Sequence, residues 1–227
     1  MKYALVSMRE DCNETYLETR DGLDRRWCEW FSRNDIIPVP VQNCAKFVKP
    51  LFHQVKPSLV ILTGGNDISE GPGTSYSDPR NLTEQALISS AINSGTPIFG
   101  VCRGLQYIYH YFTGIDPTVI SKKPEDQIQH VGSRHIVRFS ETFVAVAGSD
   151  ATVVNSYHAY GLWREEIQEP FMPVAWSDDG VVEGIVHRSA PIAAVQWHPE
   201  RGAEDRDLSS KIVQHLLLGN VFWKSKV

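Results

Sequence analysis

The chain has 227 residues, with 22 Lys and Arg against 27 Asp and Glu and a formal net charge of −5. That balance supplies no positive field for unspecific nucleic-acid binding, and no run approaches the roughly 18 apolar residues of a membrane span. Hydrophobic residues at 42% and charged residues at 22% suit a folded chain rather than a disordered one, and the length suits one large α/β domain covering residues 1–227.

In chain order, "KYALVSM" has the length of a buried strand, and the start does not read as a signal peptide. Leu23, Trp27, Trp30 and Phe31 recur at helical spacing, so a helix follows. "DIIPVPVQ" predicts a second strand, with Pro38 and Pro40 limiting its ladder and placing it at a sheet border. "PSLVILTGG" is a continuous apolar run into paired glycines, the pattern of a central parallel strand. Asn81 to Asn93 predicts an amphipathic helix closed by Gly95 and Pro97. "TPIFGV" and "RGLQYIYHYFTG" repeat strand and helix, and this alternation predicts a parallel sheet with right-handed crossovers. Beyond Gly114, "HIVRF", "TFVAVA" and "ATVVNS" read as antiparallel additions. Residues 172–188 read as a hairpin turning at Asp179-Gly180, "APIAAVQW" as a last buried strand, and the segment holding Ile212, Val213, Leu216 and Leu217 as a closing helix.

The four cysteines, Cys12, Cys28, Cys44 and Cys102, lack CxxC pairing and predict free thiols in a reducing cytoplasm. Cys102 stands apart because it falls where a buried strand meets a helix, between Gly100 and Gly104. Glycines at such a corner remove clashing side chains and push the central residue out above the sheet. The free N–H groups and dipole of the helix start favour a thiolate there. A small core filler is the competing reading.

A base is supplied in "AVQWHPE". Pro199 holds His198 extended, so His198 and Glu200 should share one side, with the carboxylate orienting the imidazole toward a nucleophile. "LTGGND" adds the third element: the amides of Gly65 and Arg103 could face a carbonyl oxygen turning negative, although a glycine pair is also a plain turn. His130, His135 and His158 show no metal-ligand spacing and read as loop or hydrogen-bonding residues. The arginine-rich segments contribute Arg9, Arg20, Arg25, Arg26, Arg134 and Arg138, with Lys122, Lys123 and His135 nearby. Such groups suit phosphate, and equally a solvated face of ion pairs. Arg9 lies just past the first strand, where ligands of open α/β sheets collect.

The ordered set "LTGGNDI", "FGVCRGLQ", "VNSYH", "VEGIV" and "AVQWHPE" resembles the class I glutamine amidotransferase-like superfamily. That resemblance implies a flavodoxin-like three-layer sandwich with a mostly parallel sheet and antiparallel additions. It also implies Cys102 as nucleophile, His198 as general base and acid, Glu200 as orienting carboxylate, and Gly65 and Arg103 as oxyanion-hole amides. Gln106 would help hold a γ-glutamyl group, and the backbone around Ser156 and Tyr157 would clasp its α-amino and α-carboxylate ends. "GVCRGLQ", "GGNDI" and "DPRNLTE" are similar to the γ-glutamyl hydrolase branch. The implied reaction is hydrolysis of a small γ-glutamyl amide, with a nucleotide-bearing leaving group in capsule modification first among the substrates, Arg9 placed to meet it, and γ-glutamyl-γ-aminobutyrate as an alternative substrate. No metal or organic cofactor is implied, nor any nucleic-acid or membrane partner. A partner synthase fed with ammonia is the alternative, not a requirement, and a non-catalytic binding protein of the same fold is the remaining one. Segments 9–26 and 121–138 are the expected borders of the leaving group.

Overall fold

The computed structural model describes residues 1–68, 78–120, 128–202 and 206–223. Its strands and helices, in order, are β1 (Lys2–Ser7), β2 (Arg9–Asn13), β3 (Glu18–Gly22), α1 (Arg26–Arg33), β4 (Ile36–Val41), α2 (Ala45–Val55), β5 (Leu59–Leu62), α3 (Pro79–Ser94), β6 (Ile98–Val101) and α4 (Arg103–Thr113). There follow β7 (Thr118–Val119), β8 (Val131–Phe139), α5 (Glu141–Ala147), β9 (Ala151–Tyr157), β10 (Tyr160–Gly161), β11 (Phe171–Ser177), β12 (Val182–His187), β13 (Ile192–Val195) and α6 (Arg206–Leu217).

Nine strands form one sheet in the order β4-β1-β5-β6-β13-β12-β11-β8-β9. The first five are parallel and the rest join antiparallel. The central parallel strands β5, β6 and β13 are apolar and buried throughout because both their faces are covered. Ala4, Val6, Leu59, Ile61, Phe99 and Val101 pack with α1, α5 and α6. The alternate residues Leu5, Val60, Leu62 and Ile98 pack with α2, α3 and α4 on the other face. This is the three-layer α/β arrangement expected from the chain. β4 takes the border position, as its two prolines require. No described helix is long and apolar enough to cross a membrane.

Three elements differ from the sequence reading. "TFVAVA" is not a strand: it lies in α5, where the Ser140 side chain accepts from Phe143 N–H and Gly148 closes the far end. These caps outweigh the β-branched residues between them. Helix α2 carries Pro50 inside and starts at Cys44 without a side-chain cap, so its ends leave no signal. The β2–β3 hairpin pairs Arg9 with Gly22 and Asn13 with Glu18, and stands apart from the main sheet. Its residues are mostly exposed, so no apolar alternation marks them.

Candidate active site

β6 runs into α4 at Cys102, whose backbone takes φ 53° and ψ −110°. A residue with a Cβ adopts positive φ at a cost of about 1–3 kcal/mol, met only where its surroundings fix it. Here Cys102 N–H donates to Val195 O at 2.8 Å, and Gly104 lets α4 begin hard against the end of β5. A Cβ at Gly104 would stand 2.1 Å from Leu62 O, and one at Gly100 would stand 2.9 Å from the Gly104 carbonyl carbon. The corner is therefore closed to any side chain but that of Cys102, which is 7% exposed.

His198 leaves β13 extended, at φ −109° and ψ 95°. Its Nδ1 lies 2.7 Å from Glu200 Oε1. The carboxylate only accepts, so Nδ1 carries the proton and Nε2 is left for the sulfur. Asn155 grips the same residue from β9, accepting from His198 N–H at 2.8 Å and donating to its carbonyl at 2.9 Å. Burial pulls the imidazolium pKa down, but the Cys102 thiolate, its hydrogen bond to the ring, and then Glu200 outweigh burial and hold it at about 9. Gln196 Nε2 reaches the sulfur from a second direction at 3.7 Å.

Gly64 fits between thiol and imidazole: a Cβ there would meet His198 Cε1 at 2.7 Å and Cys102 Cβ at 3.4 Å. The next residue, Gly65, has φ +102°. Among the described residues, neither Gly65 N–H nor Arg103 N–H has a hydrogen-bond acceptor. The peptide between Gly64 and Gly65 is held from behind by Arg80, whose Nη2 donates to Gly64 O at 3.0 Å and to Thr63 O at 2.8 Å. A trans peptide points its N–H opposite to its C=O, so this anchor turns the Gly65 amide toward the cleft. Arg80 is buried and pairs through Nε with Glu84 Oε1 at 3.0 Å, while Arg103 pairs with the other carboxylate oxygen of Glu84 and with Asn81. Arg80 Nη1 and Glu10 N–H both donate to Asn66 Oδ1, which ties the β2–β3 hairpin to the same loop.

A cleft of about 260 Å³ holds Cys102, His198, Gly65, Arg103, Gln106, Tyr157 and Arg9 together. Ser156 is absent from its wall, being fully buried with Oγ donating to His130 O at 2.6 Å. Gln106 Nε2 donates to Tyr160 O at 2.8 Å, joining α4 to the segment after β9. On the other side of His198 and Gly65 lies a second lobe of about 230 Å³, bordered by Arg9, Asp11, Asp24 and Arg201. Arg9 is exposed and paired with Asp11 at 2.8 Å, and Arg20, Arg26 and Arg138, which do not border these lobes, are likewise exposed and paired with Glu18, Asp24 and Asp178. Lys122 and Lys123 fall outside the described residues. A larger cavity of about 480 Å³, reaching from Lys49 and His53 to Asn93, holds none of the predicted site residues.

Sequence reasoning missed Arg80, Asn155 and Arg201. Asn155 lies inside "VNSYH", and Arg80 and Glu84 inside "DPRNLTE", but the loop backbone they grip, at His198 for Asn155 and at Thr63 and Gly64 for Arg80, lies elsewhere in the chain. Arg201 follows Glu200 directly and lays its guanidinium 4.5 Å from the Tyr157 ring.

Comparison with known proteins matches residues 32–200 to the Peptidase C26 family. The γ-glutamyl-CDP-amidate hydrolase of Campylobacter jejuni is 28% identical over 200 residues, covering 86% of this chain and 88% of that protein. YvdE of Lactococcus lactis, described as glutamine amidotransferase-like, is 31% identical over 177 residues, covering 71% and 74%. Among solved structures, the glutaminase domain of Trypanosoma brucei CTPS superposes with a TM-score of 0.65 at 14% identity, over 100% of this chain and 96% of that one. A glutamine amidotransferase of Thermotoga maritima gives a TM-score of 0.59 at 18% identity, over 94% and 82%. The chain belongs to the Peptidase C26 family and is a C–N hydrolase built on the class I glutamine amidotransferase-like fold.

Proposed function

We propose that the chain hydrolyses a γ-glutamyl amide through a thioester on Cys102. The observation that carries this reading is the alignment of Cys102, His198 and Glu200 beside two amides, Gly65 and Arg103, that lack acceptors among the described residues. The Cys102 thiolate attacks the γ-carbonyl, forming a C–S bond while the oxygen takes the negative charge between the two amides. On collapse the C–N bond breaks and His198, held by Glu200, gives its proton to the departing nitrogen. A water then attacks the thioester and passes its proton to the same imidazole, restoring the thiolate and releasing glutamate. Gln106, Tyr157 and the segment through Tyr160 border the end of the cleft suited to the glutamyl group.

For the leaving group, two guanidinium groups support an anion. Arg9, paired with Asp11 at 2.8 Å, and Arg201, 3.4 Å from Glu200, border both lobes, and an anionic leaving group would compete with those carboxylates. Arginine suits phosphate by charge and fork geometry. The substrate named for the Campylobacter relative, γ-glutamyl-CDP-amidate, carries such a group, and we assign the same class here: hydrolysis to glutamate and the nucleotide amidate.

The test offers purified protein glutamine, γ-glutamyl-γ-aminobutyrate and γ-glutamyl-CDP-amidate and records glutamate release. The expected result is a kcat/KM highest for the nucleotide amidate and abolished in Cys102→Ser. Full activity in Cys102→Ser would overturn the thioester mechanism. Turnover of glutamine alone, and only with an added synthase, would overturn the standalone reading.

A further inference from the structure

We propose that His130, His135 and Glu183, with His158 beside them, bind one divalent transition-metal ion, zinc by the chemistry of the donors. The residues come from three strands and their ends: β8 and the residue preceding it, the end of β9, and β12. All four are buried, Glu183 completely. Three imidazole nitrogens converge on one oxygen, Glu183 Oε1: His135 Nε2 at 3.0 Å, His130 Nδ1 at 3.3 Å and His158 Nε2 at 3.4 Å. The donor atoms of His130, His135 and Glu183 all lie within 4.8 Å of one another.

Hydrogen bonding alone accounts poorly for this convergence. His130 Nε2 faces Asp179 Oδ2 at 3.1 Å, and His158 Nδ1 faces the Tyr160 carbonyl at 3.1 Å. Both partners only accept, so both nitrogens carry their rings' protons. The opposite nitrogens, His130 Nδ1 and His158 Nε2, face an anionic oxygen, so each needs a second proton or a metal ion between itself and Glu183 Oε1. Neither makes a hydrogen bond, and Glu183 Oε2 has no partner either. Buried nitrogens set this close to a carboxylate need either protons or a metal ion between them and it.

The three distances to Glu183 suit a shared metal ion, and the wider spread of up to 4.8 Å among the donors would contract on binding. With metal–donor bonds of about 2.0–2.1 Å, neighbouring donors of a tetrahedral ion stand about 3.3 Å apart, close to the three distances to Glu183. Imidazole with one carboxylate suits zinc. Asp179 and the Tyr160 carbonyl fill the outer positions that orient metal-bound histidines. His158 also borders the cleft, so the ion would pin the segment from Tyr157 to Tyr160 from behind. This site does not depend on the hydrolytic reading.

The test uses the full chain, stripped with a chelator and alkylated with iodoacetamide so that no thiol competes. It is titrated with zinc chloride and, separately, with cobalt chloride. One equivalent of zinc bound, a higher Tm with zinc, and the visible spectrum of tetrahedral cobalt without a thiolate band are expected. In His135→Gln and Glu183→Gln the affinity should fall about 100-fold or more. Failure of the folded wild-type chain to take up stoichiometric metal would overturn the proposal and leave protons as the cations between the rings. Uptake unchanged in both variants would place the metal elsewhere and overturn it too. If a variant does not fold, the wild-type cobalt spectrum decides, and an octahedral spectrum counts against the site.

Discussion

Arg80 acts on the reaction centre without touching it. Its guanidinium fixes the carbonyl edge of the peptide whose other edge is the Gly65 amide, so its loss should free that peptide to rotate. Loss of one oxyanion donor typically costs about 10²–10³-fold in kcat. Arg80→Lys, which keeps the charge but not the fork, should therefore lower kcat by that order. The iodoacetamide reactivity of Cys102 should stay near wild type, because the thiolate–imidazolium pair is intact; a parallel fall in reactivity would mean general collapse of the site. His198 makes a second prediction. The imidazolium must survive to protonate the departing nitrogen, and the adjacent thiolate holds it to about pH 9. So kcat/KM should hold through neutrality and fall as pH rises through about 9, with an apparent pKa that belongs to the pair. A pH–rate profile with a decline already complete near 7 would remove the thiolate–imidazolium pairing. Cys102, His198 and Glu200 stand out in the sequence because Gly100 and Gly104 lie two residues to either side of the first and Pro199 between the other two, each dictating local geometry. Arg80 and Asn155 do not, since what defines them is a carbonyl or amide far along the chain.

At the scale of elements, α4 starts against β5 with no room for a methyl group. Gly104→Ala would drive a Cβ into the Leu62 carbonyl, 2.1 Å away, with backbone on both sides. Overpacking of this kind costs about 3 kcal/mol or more where backbone must move. Urea unfolding should show that loss, together with loss of turnover from displacement of Cys102; a variant of wild-type stability would refute the packing argument. The parallel strands and their helices were legible because burial on both faces leaves continuous apolar runs. The stretch holding α5 was misassigned because composition spoke for a strand while two single residues, Ser140 and Gly148, set the helix ends. The β2–β3 hairpin carries Arg9 and Asp11 to the second lobe, and Asn66 is its bridge to the loop bearing Gly65. The sequence marked 9–26 as an expected border of the leaving group, with Arg9 at its start, but not as a hairpin, since an exposed ribbon has no core-facing pattern to display.

Across the whole molecule, one buried carboxylate joins the site to stability. Burial alone would raise the Glu84 pKa, but Arg103 and then Arg80 more than offset it and leave it below the ordinary value of 4.5. A carboxyl depressed in the folded state stabilises fully above its unfolded pKa and loses that contribution as pH falls through its folded one. Acid should therefore weaken the fold below about pH 4.5. Glu84→Gln should lose about 3–5 kcal/mol at neutral pH, the cost of leaving buried guanidinium groups unpaired, and should show a flatter dependence of Tm on acid. Equal acid sensitivity in both proteins would assign the effect to other carboxylates.

The position of β13 has a consequence for synthesis of the chain. It is the last of the described strands in chain order, yet it lies in the middle of the sheet, between β6 and β12. Until residue 192 emerges, β4-β1-β5-β6 and β12-β11-β8-β9 are separate ribbons with facing open edges. The same strand leads into His198 and Glu200, so insertion of β13 would seal the molecule and, in the proposed reaction, arm Cys102 in one event. A nascent polypeptide halted before that point would carry the nucleophile without its base. Reactivity would thus be withheld from an incomplete product until its last β-strand is in place.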